Sequence, residues 1–413
     1  MLKLKKISVR RFKSLRDLTL ELSDDLSLLI GSNGTGKSSI LQSLSFVQFF
    51  ATGNPESFFA DRSWQIADVL HRNLGSKATI FGMDLYLETG SGDGVFWSFT
   101  WGTKTKKAQR ESVWRVRSGK PVSEIFSFSI KDGLRFNGEV VDGFPIKPAG
   151  SILSIIDFGD EQDPSELAKL KDWASGIMSL ELVQPSTLRR RARVSVTDIG
   201  PRGELFSGFL ASLDSEQKKR ISLRLNEFYE NEGVSTKKRK AGWVEYKVRD
   251  SRAGLDVDSD HVSDGVLRLL AFCTLPEITN NKSIILIDEI EDGIEPHLLP
   301  KLIGILRDEV EAQVIATSHS PVVVNQLDQA DVYIVSRDDG GCAQAIKLSE
   351  MNIFSKNEEH FGAGEVWLNA SLSAIQKQIS RARRQVSDSP AIDMSSDRPT
   401  QSYVTRFLND IDV

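Results

Sequence analysis

The sequence predicts an α/β fold: a core of parallel strands, an antiparallel β subdomain, and a helical insertion. Three patterns lead there. The short apolar run Leu26-Ser27-Leu28-Leu29-Ile30 has no polar alternation and enters the glycine-rich "GSNGTGKSS" of residues 31–39, with a helical pattern behind it; a strand covered on both faces reads this way. From residue 243 onward, strand-like and helix-like segments alternate, as they do around a parallel core. Residues 80–145 hold short strands punctuated by glycine, the pattern of antiparallel hairpins.

Each element follows from its local pattern. "LKKISVRRFKSLRDLTLEL" alternates apolar and polar residues and breaks at Lys13-Ser14, which predicts a half-buried hairpin. Residues 37–50 read as a helix. "TIFGMDLYLET", "GVFWSFTWG", "SVWRVR", "IFSFSI" and "LRFNGEVV" read as antiparallel strands. Residues 164–183 and 203–231 are helical in pattern, with basic stretches beside them. "WVEYKVRD" is strand-like, followed by a helix over 264–275, an apolar strand over 283–287, a helix over 296–310, and strands over 313–317 and 331–335. Beyond about residue 380 the chain is rich in Ser, Asp, Pro and Arg and reads as a linker. It closes with "SYVTRFLNDIDV", whose expected state is a frayed terminus. The resulting division is 1–150 for an N-terminal lobe with the glycine loop and antiparallel subdomain, 151–242 for a helical insertion, 243–350 for a C-terminal lobe, and 351–413 for a helical extension with a partly disordered tail.

Composition narrows the setting. The chain has 413 residues, 40% apolar and 26% charged, with a formal net charge of −5. No whole-surface basic field is present, so any nucleic-acid contact must be a local patch. Cys273 and Cys342 are the only cysteines. They provide neither a disulfide framework nor a zinc site and suit a reducing compartment. The charged start Lys3, Lys5, Lys6 lacks the apolar core of a signal peptide, and no run approaches the ~20 apolar residues of a membrane span. The expected location is cytoplasmic, without membrane contact.

Four motifs carry chemistry. Gly31, Gly34, Gly36, Lys37 and Ser38 fit G-x-x-x-x-G-K-[ST]. Glycines let successive amides turn inward on an anion, and the following helix N-terminus adds its N–H groups. The loop Gly31, Ser32, Asn33, Gly34, Thr35, Gly36, Lys37, Ser38, Ser39 is thus expected to hold nucleoside triphosphate phosphates. Lys37 would reach the outer phosphates and Ser38 would offer its hydroxyl to Mg²⁺. In "SIILIDEIEDGIEP", an apolar strand delivers Asp288 and Glu289 at its C-terminal end, where ligands sit in open α/β sheets. Asp288 would hold Mg²⁺, directly or through water, and Glu289 would orient or deprotonate the attacking water. His319 in "TSHSP" follows a strand-like run and is one of five histidines; a neutral imidazole there can exchange hydrogen bonds with the γ-phosphate or that water. Ser263, Asp264 and Gly265 open an apolar helix, with Arg268 one turn later. A plain N-cap accounts for Ser263 or Asp264; Ser-x-Gly before a helix also offers amides and a hydroxyl to an anion.

Taken together and in this order, the motifs resemble the ABC-type ATPases of the SMC/RecF/OLD group, often grouped with AAA-family ATPases of the AAA-21 or AAA-15 kind. The matching residues are "FKSLRDLTLEL" with "GSNGTGKSS", then "SDGVLRLLAF", "IILIDEIEDGIEP" and "VIATSHSP". The resemblance covers roughly residues 1–80 and 240–340. It implies an ABC-type P-loop ATPase head that uses ATP and Mg²⁺. Lys37, Glu289 and His319 would be catalytic, Ser38 and Asp288 would serve the metal, and Gly31–Ser39 would bind nucleotide. Ser263, Asp264 and Gly265 of a second chain would close over the γ-phosphate, giving a head-to-tail dimer with two ATP molecules between its subunits. Hydrolysis would release the clamp. The sequence departs from the group's pattern at Ile290, where Pro is frequent, at Asp292, where Asn is frequent, and at Glu295-Pro296, where His-Pro is frequent. For the group's glutamine loop the candidates are Gln48 and Gln65.

OLD-type relatives append a TOPRIM nuclease and SMC relatives long coiled coils; residues 320–413 show the pattern of neither. The first expectation is therefore a stand-alone ATPase, working as a homodimer or higher homo-oligomer, that regulates or scaffolds a separate nuclease-like or toxin effector. The ATPase subunits of Septu- or PARIS-like antiphage defence systems are of this kind. The alternative is a RecF-like DNA-binding repair clamp. DNA or RNA phosphates would then meet Lys104-Thr105-Lys106-Lys107, "RRRAR" at 189–193 or "KKRK" at 237–240, runs that solvated loops also explain.

Overall fold

A computed structural model describes residues 2–70, 79–90, 92–141, 147–156, 165–181, 183–193, 198–229, 233–250, 254–278, 282–351, 362–371, 374–379 and 399–409. Its centre is a six-stranded sheet in the order Ile177–Ser179, Ile284–Ile287, Gln313–Ser318, Leu26–Ile30, Val332–Arg337, Ala343–Lys347. The first five strands are parallel and the last is antiparallel. Residues of Leu26–Ile30 and Ile284–Ile287 are buried throughout, because each strand feeds two cores. Leu28, Ile30, Ile285 and Ile287 point into a core shared with the helices Asp264–Thr274 and Leu299–Asp308. Leu29, Ile284 and Leu286 point the other way. Side-chain direction alternates along a strand, so an unbroken apolar run serves both faces.

The second core lies between this sheet and an eight-stranded antiparallel sheet. Its order is Leu15–Glu21, Lys3–Phe12, Ile80–Glu88, Gly94–Gly102, Lys107–Arg117, Lys120–Ser129, Gly133–Phe136, Glu139–Val140. The helix Lys37–Ala51 runs through that core. Phe46 meets Phe81 edge-on at 4.9 Å and Phe50 stacks on Phe99 at 4.0 Å between centroids; such ring pairs add to their area burial. Hence the helix that begins at the glycine loop is gripped along its length.

Two segments read as purely helical differ. The pattern over 164–183 yields the helix Glu166–Ser175 and then the edge strand Ile177–Ser179. Gly176 caps the helix, and Ile177 and Met178 are buried beside Ile284 and Ile285; sheet pairing overrides the helical pattern. The pattern over 203–231 splits into Phe206–Ser212 and Ser215–Phe228, because Asp214 starts a new helix with a capping box. Residues 230 and 231 lie outside the described residues, as does the expected linker at 380–398.

The C-terminal expectation is also corrected. Gln401–Asn409 is a helix packed on the antiparallel sheet, with Val404, Phe407 and Leu408 against Tyr86, Phe96 and Val116. Tyr403 Oη donates to Asp84 Oδ2 at 2.6 Å and accepts from Arg10 Nη2 at 3.2 Å, while Arg10 pairs with Asp84. An apolar stripe with a polar pin docks this segment rather than leaving it frayed. Among the described residues, no helix is long and apolar enough to cross a membrane.

Candidate active site

The parallel register brings the strand ends together. Ile30 pairs with Ser318 and Ile287 with Ala316. Residues that follow Ile30, Ile287 and Ser318 therefore share one edge of the sheet, the carboxyl edge. Gly31, Asp288 and His319 are those residues.

Glycine is required at two positions of the loop. Gly31 has φ +146°, and a Cβ there would lie 2.2 Å from Val335 O. Gly36 has φ +117°, and a Cβ would lie 2.7 Å from Ala343 Cβ and 2.8 Å from Ser14 Oγ. Side chains at either position would collide with the neighbouring strand or hairpin. Ser32, Asn33 and Gly34 are exposed; Thr35, Ser38 and Ser39 are half-buried. Arg337 Nε donates to Gly34 O at 2.5 Å, tying the loop to the sheet.

Lys37 is 5% exposed, and its Nζ donates to Gly31 O at 2.8 Å and Ser32 O at 3.1 Å. An ammonium has three donors, so one remains for another acceptor. Burial lowers the Lys37 pKa, against the pull of Asp288, Glu289 and Glu291. The lysine and three acids thus occupy one electrostatic neighbourhood.

The carboxylate strand ends in a stitched turn. Thr317 Oγ1 donates to Asp288 Oδ1 at 2.6 Å and accepts from Glu289 N at 2.8 Å, and Ile290 N donates to Thr317 O at 3.1 Å. Glu289 is exposed and has φ +50°, a conformation that non-glycine residues seldom adopt. Strain of this kind is kept only where the surroundings over-determine it, and the three bonds to Thr317 do so. Glu291 Oε1 accepts from His319 N. The histidine is half-buried.

The same turn reaches the helix Asp264–Thr274. Arg268 Nη2 pairs with Asp292 Oδ2 at 2.5 Å, and a Cβ on Gly265 would meet Gly293 O at 2.5 Å. At the helix start, Ser263 Oγ accepts from Val266 N at 3.4 Å, the expected N-cap. Ser263 and Asp264 are exposed and Gly265 half-buried. Asp264 pairs with Arg189 at 2.5 Å.

Sequence reasoning missed three features. Neither Gln48 nor Gln65 lies at a strand exit: Gln48 donates to Ser175 O, and Gln65 caps a short 3-10 turn. Among the described residues, the exposed Gln184 is the glutamine that follows the edge strand Ile177–Ser179. Glu181 in that segment accepts from Gln42 Nε2 at 2.5 Å and from Arg62 Nη2 at 2.8 Å. Lys13 joins them, with Nζ 2.7 Å from Gln42 Oε1 and 3.4 Å from the Trp64 ring centroid, and burial lowers its pKa to about 8. The break at Lys13-Ser14 was the sequence signal: it delivers Lys13 into this network and Ser14 Oγ, buried without a partner among the described residues, against Gly36. The third feature is Glu291.

The basic runs separate. Lys106 pairs with Glu56 at 2.6 Å in the antiparallel lobe. The other two runs converge on a small sheet of Ala192–Arg193, Gly233–Lys238, Trp243–Asp250 and Leu255–Asp258. There Arg191 and Arg239 both pair with Glu245, and the Arg193 guanidinium lies 5.5 Å from the Trp243 ring centroid.

Residues 2–82 match the family described as "AAA ATPase domain", and residues 171–325 match the family described as "AAA domain, putative AbiEii toxin, Type IV TA system". The first stretch holds the glycine loop; the second holds Ser263, Asp288, Glu289 and His319. No curated protein matches the chain. Among solved structures, the chain is similar to an SmcHead bound to the C-winged helix domain of ScpA, with TM-score 0.54 and 18% identity over 83% of this chain and 97% of that one. It is also similar to an Smc head domain with an extended coiled coil, derived from Pyrococcus furiosus and bound to the C-terminal domain of ScpA. That match has TM-score 0.52 and 14% identity over 87% of this chain and 99% of that one. The fold is that of an ABC-type P-loop head, and the chain is an ATPase.

Proposed function

We propose that this ATPase closes head-to-tail with a second copy around ATP, and that closing and reopening regulates a separate effector, nuclease-like or toxin, in bacterial antiphage defence. The observation that carries the reading is the exposure of Ser263 and Asp264 at a helix start. Their helix is tied to the carboxylate turn through Arg268 and Gly265, and the exposed Ser263 at its start would meet a partner's nucleotide. The described toxin–antitoxin family over 171–325 supports the effector setting, and the ScpA-bound Smc heads support docking of a partner protein on such a head.

Within one head, the loop amides of Gly31–Ser39 and the third donor of Lys37 suit phosphate oxygens. Ser38 and Asp288 provide the hard oxygen ligands that Mg²⁺ takes, and the ion would neutralise phosphate charge. Glu289 would take a proton from the attacking water, and His319 would hold the γ-phosphate side. Glu289→Gln should bind ATP and stay closed. Light scattering should show a dimer with ATP and a monomer without it; a monomer in both conditions defeats the sandwich.

A second reading, a nucleic-acid clamp, rests on the small sheet. Two runs distant in sequence become neighbours there, around a Trp243 that is 42% exposed. Glu245 fixes Arg191 and Arg239 beside it. Exposed Arg and Lys around an aromatic ring suit phosphates and bases. Fluorescence anisotropy with labelled duplex and single-stranded DNA, at two salt concentrations and with or without ATP, tests it: salt-sensitive binding lost in Arg193→Ala/Trp243→Ala supports the clamp, and no binding at low salt removes it.

A further inference from the structure

The carboxylate turn carries a third acid whose two oxygens differ. Glu291 Oε1 accepts the backbone N–H of His319. Its Oε2 is buried and has no hydrogen-bond partner among the described residues. Enclosing a carboxylate oxygen without a donor is costly, so the side chain is not held there by hydrogen bonding of both oxygens. Two conditions keep it in place. The Lys37 ammonium shares the neighbourhood and feels the charge of Glu291. The turn itself is fixed, because Glu289 N and Ile290 N both bond to Thr317. Glu291 therefore reaches out from a rigid base.

What it reaches is the first peptide beyond the strand Gln313–Ser318. Sheet pairing in that strand ends at Ser318, opposite Ile30. The next N–H, that of His319, has no ladder partner in the sheet and needs an acceptor if it is to be fixed. We infer that Glu291 is a positioning residue: by holding the His319 peptide through one oxygen, it sets the direction from which the imidazole meets the nucleotide. The neighbouring Asp292 and Gly293 touch Arg268 and Gly265. The helix Asp264–Thr274 and the histidine are thus attached to consecutive residues of one short turn, and a shift of that helix is transmitted to His319 through Glu291.

The inference rests on the role proposed for His319, and the test separates the two. Steady-state ATP hydrolysis is measured for the full chain and for Glu291→Ala, Glu291→Gln, His319→Ala and the double variant Glu291→Ala/His319→Ala. Glu291→Ala should lower kcat about tenfold and leave KM for ATP within about threefold, the signature of an interaction that matters for turnover rather than binding. Glu291→Gln keeps a carbonyl oxygen for the His319 N–H and should recover most of that loss. The double variant should be no slower than His319→Ala alone, because residues acting as a unit are not additive. A wild-type rate in Glu291→Ala, equal damage in Glu291→Gln, or multiplied losses in the double variant overturns the inference. If His319→Ala hydrolyses ATP at the wild-type rate, the role of His319 falls and the inference with it. If His319→Ala is slow while Glu291→Ala is fast, only the inference falls. Glu291→Gln keeps the test open should the alanine variant fail to fold.

Discussion

Glu111, at the centre of the antiparallel sheet, and Glu291, at the edge of the parallel one, are both carboxylates withdrawn from water, in opposite company. Glu111 is fully enclosed and receives the indole N–H of Trp97 at 2.9 Å, the N–H of Ile152 at 2.7 Å and the hydroxyl of Ser151. Glu291 has one donor and one bare oxygen. The first acid fastens a strap: Ser151 N donates to Phe50 O at 2.8 Å, at the end of the helix that starts in the glycine loop. The second sits among exposed charges and a strained backbone. Saturated polar groups build a rigid frame, whereas groups left with spare capacity mark the place where something else must bind.

The largest expected effect falls on the edge. Lys37→Ala should reduce ATP turnover by about a hundredfold or more, as removal of a charge-stabilising group does, while circular dichroism and the melting temperature stay near wild type. A variant that unfolds instead would make the lysine a frame residue and break the contrast. Next comes the frame. Glu111→Ala leaves three buried donors without their acceptor and should cost roughly 3 kcal/mol or more in urea unfolding. The kcat of the folded fraction should be unchanged.

The same residue predicts a pH dependence. Burial raises the Glu111 pKa from its ordinary 4.5 to about 7. Between these values the folded state binds more protons than the unfolded one, so stability falls as pH rises. This contribution is complete below about pH 4.5 and gone above about pH 7, about 3 kcal/mol in all. Urea unfolding at pH 5 and pH 8 should show the loss in wild type and a flatter profile in Glu111→Gln; equal slopes would remove Glu111 as its source. The smallest effect sharpens the contrast from a third site. Tyr403→Phe removes one hydroxyl from the Arg10–Asp84 pin and should lower stability by about 1 kcal/mol without altering ATP turnover.

Much of this was readable from residues alone. Gly31–Ser38 and Asp288-Glu289 are legible as strand exits because the strand that precedes each is a short, densely apolar run. Those constraints are local. Ile177–Ser179 was hidden because three residues carry too little periodicity, and only pairing with Ile284–Leu286 makes them a strand. Glu291 looks like any acid in "DEIEDG" until the parallel register sets it beside His319. The basic runs at 189–193 and 237–240 become neighbours only because Ala192 and Lys238 both pair with Val244. The final helix shows its apolar stripe in sequence, but the Asp84–Arg10 pair that receives Tyr403 lies more than 300 residues away.

Leu26–Ile30 is among the earliest segments of the chain, yet both its neighbours, Gln313–Ser318 and Val332–Arg337, come near its far end. At a ribosomal pace of about 5–20 residues per second, this largely apolar strand emerges roughly 15–60 seconds before either partner exists. During that interval its backbone edges and greasy side chains are open to unwanted association. Biosynthesis of this protein should therefore lean on chaperones that cover exposed apolar segments, and its yield should improve when translation is slowed by cold.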